Sequence, residues 1–411
     1  MLKEFNWLIL FLWVILLSIG LTAIYSATQG PVAEFLPSFI QQNFFKQSVF
    51  ILLSFAVLIG IQFIPPKYFQ EGSYLLYFFS ILLMIGTLLF GREINGAKSW
   101  LLIGPIQFQT SEVAKIATIL AVATYLGSRR EMRQGKVTQG IIGTLMILLP
   151  TALTLLQNDT GTALVFIALI PIMLFWSGLP YGVSLLMISP AIIGYLSLIG
   201  WYWGAIIAVL ITLAIHFLEK RTWLSVGSLV MGASLVLAVQ VALTSLLKPH
   251  QVGRILAFID PSFDPQGAGW NVIQATTAIG SGGFFGKGFM QGTQTQLRFL
   301  PEQWTDFIFC VIGEEFGFIG TSLVVISFML LMLALLQSSS NHKYPFAQLV
   351  MVGVTGVFFV HVIVNIGMAS ALLPVIGIPL PFVSYGGTAF ISNTIMLAIC
   401  LNLDLHKRAF S

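Results

Sequence analysis

Long apolar runs, separated by short polar breaks, fill the chain from end to end. A helix that crosses a bilayer needs about 20 mostly apolar residues. Runs of this kind stand at 6–26, 46–64, 73–91, 111–127, 141–156, 161–178, 181–200, 202–218, 223–247, 307–337, 346–372 and 386–404. The pattern predicts an all-α polytopic integral membrane protein with about twelve crossings, forming a single transmembrane domain over 1–411. The run at 141–156 is short, and 202–247 reads as a hairpin. The first run is too long for the apolar core of a signal peptide and has no clear small-residue cleavage site, so it is expected to stay as a helix.

Composition agrees. The chain is 57% hydrophobic and 8% charged, where soluble domains carry about 25% charge. The pI near 9.0 does not point to nucleic acid, because the basic residues sit in short breaks. Cys310 and Cys400 both lie in apolar runs and predict no structural disulfide.

Lys and Arg in the breaks set the orientation. With the N-terminus inside, the inner breaks hold Lys3, Lys67, Arg129, Arg130, Arg133, Lys136, Lys220, Arg221, Lys343, Lys407 and Arg408. The outer ones hold Lys46, Arg92, Lys98, Lys248, Arg254, Lys287 and Arg298. Almost all the outer cations fall in two segments, 92–110 and 248–306. The second is far longer than the other connections, and loops of that length are usually functional or disordered. Its "NVIQATTAIG" predicts a short amphipathic helix at the membrane interface. Its "GSGGFFGKG" reads either as a backbone cradle for phosphate, with Lys287 beside it, or as a flexible turn.

Acids mark the remaining places for chemistry. In "FLPEQWTDFIF", Glu302 and Asp306 stand four residues apart at the mouth of an apolar run. Asp306 suits catalysis and suits capping of the helix that follows, and both readings stand. In "SEVAKIATIL", Glu112 and Lys115 share a helix face and can pair. The pair is either a functional intramembrane site or a self-neutralised orienting pair. Asp159 in "LQNDTGTAL" reads as a helix N-cap. One of Glu314 and Glu315 is expected to face the bundle interior.

These segments together resemble the SEDS family of peptidoglycan glycosyltransferases, which includes RodA and FtsW. "NGAKSWLLIGPIQFQTSEVAKIA" resembles the family's first outer loop and the following helix. "DPQGAGWNVIQATTAIGSGGFFGKG", "GTQTQLRFLPEQWTDFIFCVIGEEFGFIG" and "NIGMASALLPVIGIPLPFVSYGG" resemble its long outer loop and last segments. The forms "GSGGFFGKG" and "GTQTQL" are those of the RodA branch, which serves cell elongation. The resemblance implies polymerisation of lipid II, as donor and acceptor, into glycan strands. It implies a class B penicillin-binding protein as partner, and residence in the bacterial cytoplasmic (inner) membrane with both termini cytoplasmic. The family's catalytic aspartate matches Asp306, and its first-loop tryptophan matches Trp100. The acid and lysine of its fourth helix match Glu112 and Lys115. Asp159, Gln294, Glu302 and Ser384 fall in matched motifs and are expected to contact substrate. Three features depart from the family pattern: Trp304 replaces the usual histidine, Asn158 replaces a proline, and the usual ten crossings are exceeded by a hairpin near 202–247.

The chemistry suits these residues. Joining two lipid-linked sugars needs an activated hydroxyl and a stabilised pyrophosphate leaving group. A carboxylate general base supplies about 10²–10⁴-fold, and cations stabilise the departing charge. Asp306 is the base candidate. Lys98, Lys115, Arg254 and Lys287 are the pyrophosphate candidates, with arginine the better bidentate donor. A divalent cation, Mg²⁺ or Mn²⁺, between Asp306 and the pyrophosphate fits the same chemistry. A flippase for lipid-linked precursors is the alternative function, and an anchor for the partner is a third. The Pro/Gly-interrupted "LLPVIGIPLPFVSYGG" has no twin in the first half, which a repeat-built transporter would have.

Overall fold

A computed structural model describes residues 5–30, 38–94, 96–103, 106–127, 137–246, 258–265, 267 and 269–407. The basic cluster at 129–136, Lys248, Arg254 and Arg408 lie outside the described residues. Each of the twelve apolar runs is a helix. They are α1 Trp7–Gln29, α2 Asn43–Gln62, α3 Ser73–Phe90, α4 Thr110–Gly127, α5 Val137–Leu156, α6 Thr160–Trp176, α7 Tyr181–Ile199, α8 Trp201–Glu219 and α9 Thr222–Val241. After the amphipathic α10, Trp270–Ser281, come α11 Ile308–Asn341, α12 Pro345–Ala369 and α13 Gly387–Leu405. Among the described residues ten helices are long and apolar enough to cross a membrane, both members of the 202–247 hairpin included. The two that miss that mark are α6, with 17 residues, and α4, whose apolar face is diluted by Glu112 and Lys115.

The helices group into two compact units, residues 1–130, 141–173 and 274–411 in one and 131–140 and 174–273 in the other. In the second unit α7, α8 and α9 close on Ile193, Ala208, Ile211, Ile215 and Leu224. In the first unit α12 is the central post. It packs on α4, α11 and α13, and 83% of its most apolar stretch is buried. Its exposed stripe is narrow, at Phe359 and Ile363, so a polar residue on its enclosed faces must find a protein partner.

The connection at 92–109 is not a loose loop. It folds into a three-stranded antiparallel sheet, β1 Arg92–Ile94, β2 Ala97–Ile103 and β3 Ile106–Gln109, in the order β1-β2-β3. Trp100 pairs with Arg92 on one side and Gln109 on the other. The backbone N–H of Lys98 donates to the Gln157 carbonyl at 2.8 Å, tying the sheet to the end of α5.

Helix α11 is broken at Gly317, whose φ of 61° departs from helical geometry. The break is mended from outside. Phe318 N–H donates to the Gly283 carbonyl at 2.9 Å, and Lys287 and Gly288 N–H groups donate to the Glu314 and Glu315 carbonyls at 3.0 Å. The glycines of "GSGGFFGKG" therefore serve close backbone approach to a broken helix, since a methyl at Gly286 would meet the Glu315 carbonyl at 2.1 Å. Those N–H groups are occupied, which corrects the phosphate-cradle reading.

Candidate functional site

Asp306 sits in the turn just before α11. The helix begins at Ile308 behind Phe307, and no side chain caps it. Capping is thus not what Asp306 does. The turn is fixed by backbone bonds, because the Glu302 carbonyl accepts from the N–H groups of Thr305 and Asp306, both at 3.1 Å. Glu302 holds a left-handed φ of 49° to make that possible.

The irregular segment 376–385 forms the other side of the turn. Ser384 is buried, donates its hydroxyl to the Thr305 carbonyl at 2.6 Å and accepts from Leu380 N–H at 2.8 Å. Tyr385 N–H donates to the Trp304 carbonyl at 2.9 Å. Gly377 lies directly against the acid: its φ is +76°, and a methyl there would stand 3.2 Å from Asp306 Oδ2. The carboxylate is half-buried. Withdrawal from water, and after it the charge of Glu302, push its pKa up to about 7.

Below this segment lies the intramembrane charge cluster. Lys115 Nζ is 2.9 Å from Glu112 Oε1, and both side chains are buried. Lys115 also reaches His361 Nε2 at 3.3 Å, while His361 Nδ1 stands 3.0 Å from the Pro379 carbonyl. A carbonyl only accepts, so Nδ1 carries the hydrogen and Nε2 accepts from the ammonium. Four residues on, Asn365 Nδ2 donates to the carbonyls of Asp306 at 2.9 Å and Ile378 at 2.8 Å. The cluster and the acid are thereby joined through residues 378 and 379.

The other expected site residues are placed elsewhere. Asp159 caps α6, as its pattern predicts: Oδ1 accepts from Thr162 N–H at 3.0 Å and Oδ2 from Thr162 Oγ1 at 2.9 Å. Oδ2 also accepts from Gln109 Nε2 at 3.0 Å. The helix it caps touches the 376–378 segment, where a methyl on Gly161 would stand 3.0 Å from Ile378. Lys287 donates to Glu314 Oε1 at 2.7 Å and to Thr293 Oγ1 at 2.6 Å. Glu314 also accepts the N–H groups of Thr293, Gln294 and Thr295 at 2.8–2.9 Å. The Lys287 ammonium and the Gln294 backbone thus belong to one anchor around Glu314. Glu315 is buried too, with Ser26 and Gln296 as partners. Lys98 gives its ammonium to the Leu89 carbonyl at 3.2 Å. Arg254 lies outside the described residues.

Three residues escaped sequence reasoning. His361 and Asn365 are polar residues at (i, i+4) spacing inside an apolar span, a pattern that marks function or pairing. Arg298 stacks on Trp304, 5.5 Å from the ring centroid, two residues before Asp306. Its guanidinium is half-buried and has no carboxylate partner among the described residues, and desolvation lowers its pKa without discharging it.

A family model described as cell cycle protein, covering FtsW, RodA and SpoVE, matches residues 6–203 and 202–409. The peptidoglycan glycosyltransferase RodA of Treponema pallidum is 34% identical, over 99% of this chain and 98% of its own. The peptidoglycan glycosyltransferase MrdB of Escherichia coli is 32% identical, over 88% of this chain and 85% of its own. Among solved structures, one described as coordinating polymerization and crosslinking in a peptidoglycan synthase complex holds a chain that is 28% identical. It has a TM-score of 0.74 and covers 98% of both chains. The crystal structure of Thermus thermophilus rod shape determining protein RodA gives a TM-score of 0.62 at 25% identity, over 98% of this chain and 97% of that one.

Proposed function

The chain belongs to the FtsW, RodA and SpoVE family of cell cycle proteins, and from that premise we propose how it works. It is a peptidoglycan glycosyltransferase of the RodA kind and a multi-pass membrane protein. Its substrate is lipid II, as donor and acceptor, and its product is the glycan strand laid down during elongation. Asp306 takes the proton of the acceptor hydroxyl as that oxygen attacks the donor's anomeric carbon. The bond from that carbon to the pyrophosphate breaks, and the lipid pyrophosphate leaves.

The observation that carries this reading is the Asp306 carboxylate, held at the mouth of the bundle with a pKa of about 7. A base poised near the working pH has the best balance of proton affinity and available base form. Arg298, stacked on Trp304, supplies positive charge for the pyrophosphate. Among the described residues no three His, Cys, Asp or Glu side chains gather as a metal cage.

The chain lies in the bacterial cytoplasmic membrane with both termini inside, which puts Asp306 on the outer face, where lipid-linked disaccharides are joined. Its partner is a class B penicillin-binding protein that crosslinks the strand, in keeping with the coupling of polymerization and crosslinking in the similar complex. The test is polymerisation of lipid II by the purified protein, alone and with that partner. Wild type makes glycan and Asp306→Asn makes none while still folding. Near-normal polymerisation by Asp306→Asn would remove the base.

A further inference from the structure

Asp306 is steered from behind. Its backbone carbonyl and the wall its carboxylate rests on both hang from one face of α12. Asn365 and His361 are four residues apart, so they stack on that face. Both are buried in the helix that forms the central post. A primary amide has two N–H donors. Asn365 gives its nitrogen to the Asp306 carbonyl at 2.9 Å and the Ile378 carbonyl at 2.8 Å. An inverted amide would face two carbonyls with an oxygen, so these partners fix its orientation. One turn earlier, His361 holds the next carbonyl of the wall, Pro379, at 3.0 Å and leans on Lys115 at 3.3 Å.

Residues 376–379 have no helix or strand of their own to hold them. Gly377, in the left-handed region, brings its backbone against Asp306 Oδ2. The distance from acid to wall is therefore set by three carbonyls tethered to two side chains of a rigid helix. Asn365 bonds the carbonyl of the acid itself as well as the Ile378 carbonyl of the wall.

We propose that Asn365 and His361 are positioning residues for Asp306, with Asn365 clamping the acid to its wall and His361 coupling that wall to the Glu112–Lys115 ion pair. The inference rests on the reading of Asp306 as the base. Neither residue touches substrate. A carboxylate released from the wall reaches water more easily and swings out of line with the acceptor hydroxyl. Misplacement of about 1 Å at a reacting group costs about 100-fold in rate.

The experiment uses the full-length protein with its crosslinking partner and lipid II. Asn365→Ala is expected to lower kcat about 100-fold with KM close to wild type, and to move the inflection of the pH–rate profile below about 7. His361→Gln is expected to move both in the same direction by less, because one tether is cut instead of two. It also serves if Asn365→Ala does not fold. The inference is overturned if kcat and the inflection stay at wild type, or if activity falls only in proportion to the folded fraction with the inflection unmoved. The two readings separate cleanly. An active Asp306→Asn removes the base itself, whereas an inactive Asp306→Asn beside a wild-type Asn365→Ala removes only the clamp.

Discussion

Lys115 Nζ stands 2.9 Å from Glu112 Oε1 inside the membrane-embedded bundle, and the same nitrogen reaches His361 Nε2. The contact makes the pair directional. Glu112→Ala is expected to leave a buried ammonium, at a cost of about 3–5 kcal/mol. The exchange Glu112→Lys with Lys115→Glu restores pairing and is expected to restore much of the stability. It is not expected to restore polymerisation, because a carboxylate at position 115 cannot donate to His361 Nε2. Thermal unfolding beside a lipid II assay checks both halves. A folded exchange variant with wild-type activity would make the pair purely structural.

The pH dependence follows from Asp306. The base form is the deprotonated one, so the rate is expected to rise as pH passes about 7 and level off above it. Glu302 raises that value by like-charge repulsion, the second cause after desolvation. Glu302→Gln is therefore expected to shift the inflection to lower pH. The shift has a stability counterpart: the folded chain holds this proton more tightly than the unfolded one, so Asp306 favours folding in acid, a contribution lost as pH rises through about 7. A pH–rate profile flat across neutrality, or an inflection unmoved by Glu302→Gln, would contradict this account.

The Glu314 anchor predicts an order of effects. Glu314 holds Lys287 and also the N–H groups of Thr293, Gln294 and Thr295. Glu314→Ala leaves several buried donors unpaired, each costing about 1–3 kcal/mol. Lys287→Ala removes one half-exposed partner and leaves the N–H bonds in place, so it should destabilise less. Unfolding curves of the two variants test the order. A Lys287→Ala protein of wild-type stability but sharply raised KM for lipid II would return Lys287 to the substrate.

Asp159 offers a contrast with Asp306. As the N-cap of α6 its removal to Ala is expected to cost about 0.5–2 kcal/mol, and Asp159→Asn or Asp159→Ser should recover most of it. Thermal unfolding of the three variants gives the ranking. Activity should follow stability, and a stable but inactive Asp159→Asn would show that its charge serves the reaction.

How far the sequence could be read depended on the range of the interaction. All twelve helices were legible, because a run of apolar residues is local information. So were the Asp159 cap and the Glu112–Lys115 pair, whose partners lie three residues away. The partners of Lys287 and Asp306 were not. Glu314 lies 27 residues from Lys287, and Asn365 lies 59 from Asp306. A glycine-rich loop with a lysine looks like an anion cradle until a broken helix is packed into it. The sheet at 92–109 was also missed, since its strands are short and its polar breaks hid them.

The hairpin of α8 and α9 carries the last prediction, for the side of the membrane its turn faces. Trp201, Tyr202 and Trp203 are exposed at the start of α8, and Phe217 and Trp223 are exposed near the turn. The helix that starts at the first aromatic group and ends at the turn is nineteen residues long, about 28 Å at 1.5 Å per residue, close to the thickness of a bilayer's hydrocarbon core. Aromatic belts mark both interfaces, and cations favour the cytoplasmic one. Lys220 and Arg221 stand in the turn, with Lys220 in the left-handed conformation that ends α8. We therefore expect this turn inside the cell. Cys310 and Cys400 are both buried, so a Lys220→Cys variant can be labelled without first removing them. A membrane-impermeant thiol reagent should leave intact cells unlabelled and react after permeabilisation. Labelling of position 220 in intact cells would place the turn outside and reverse the orientation assigned to the whole chain, Asp306 included.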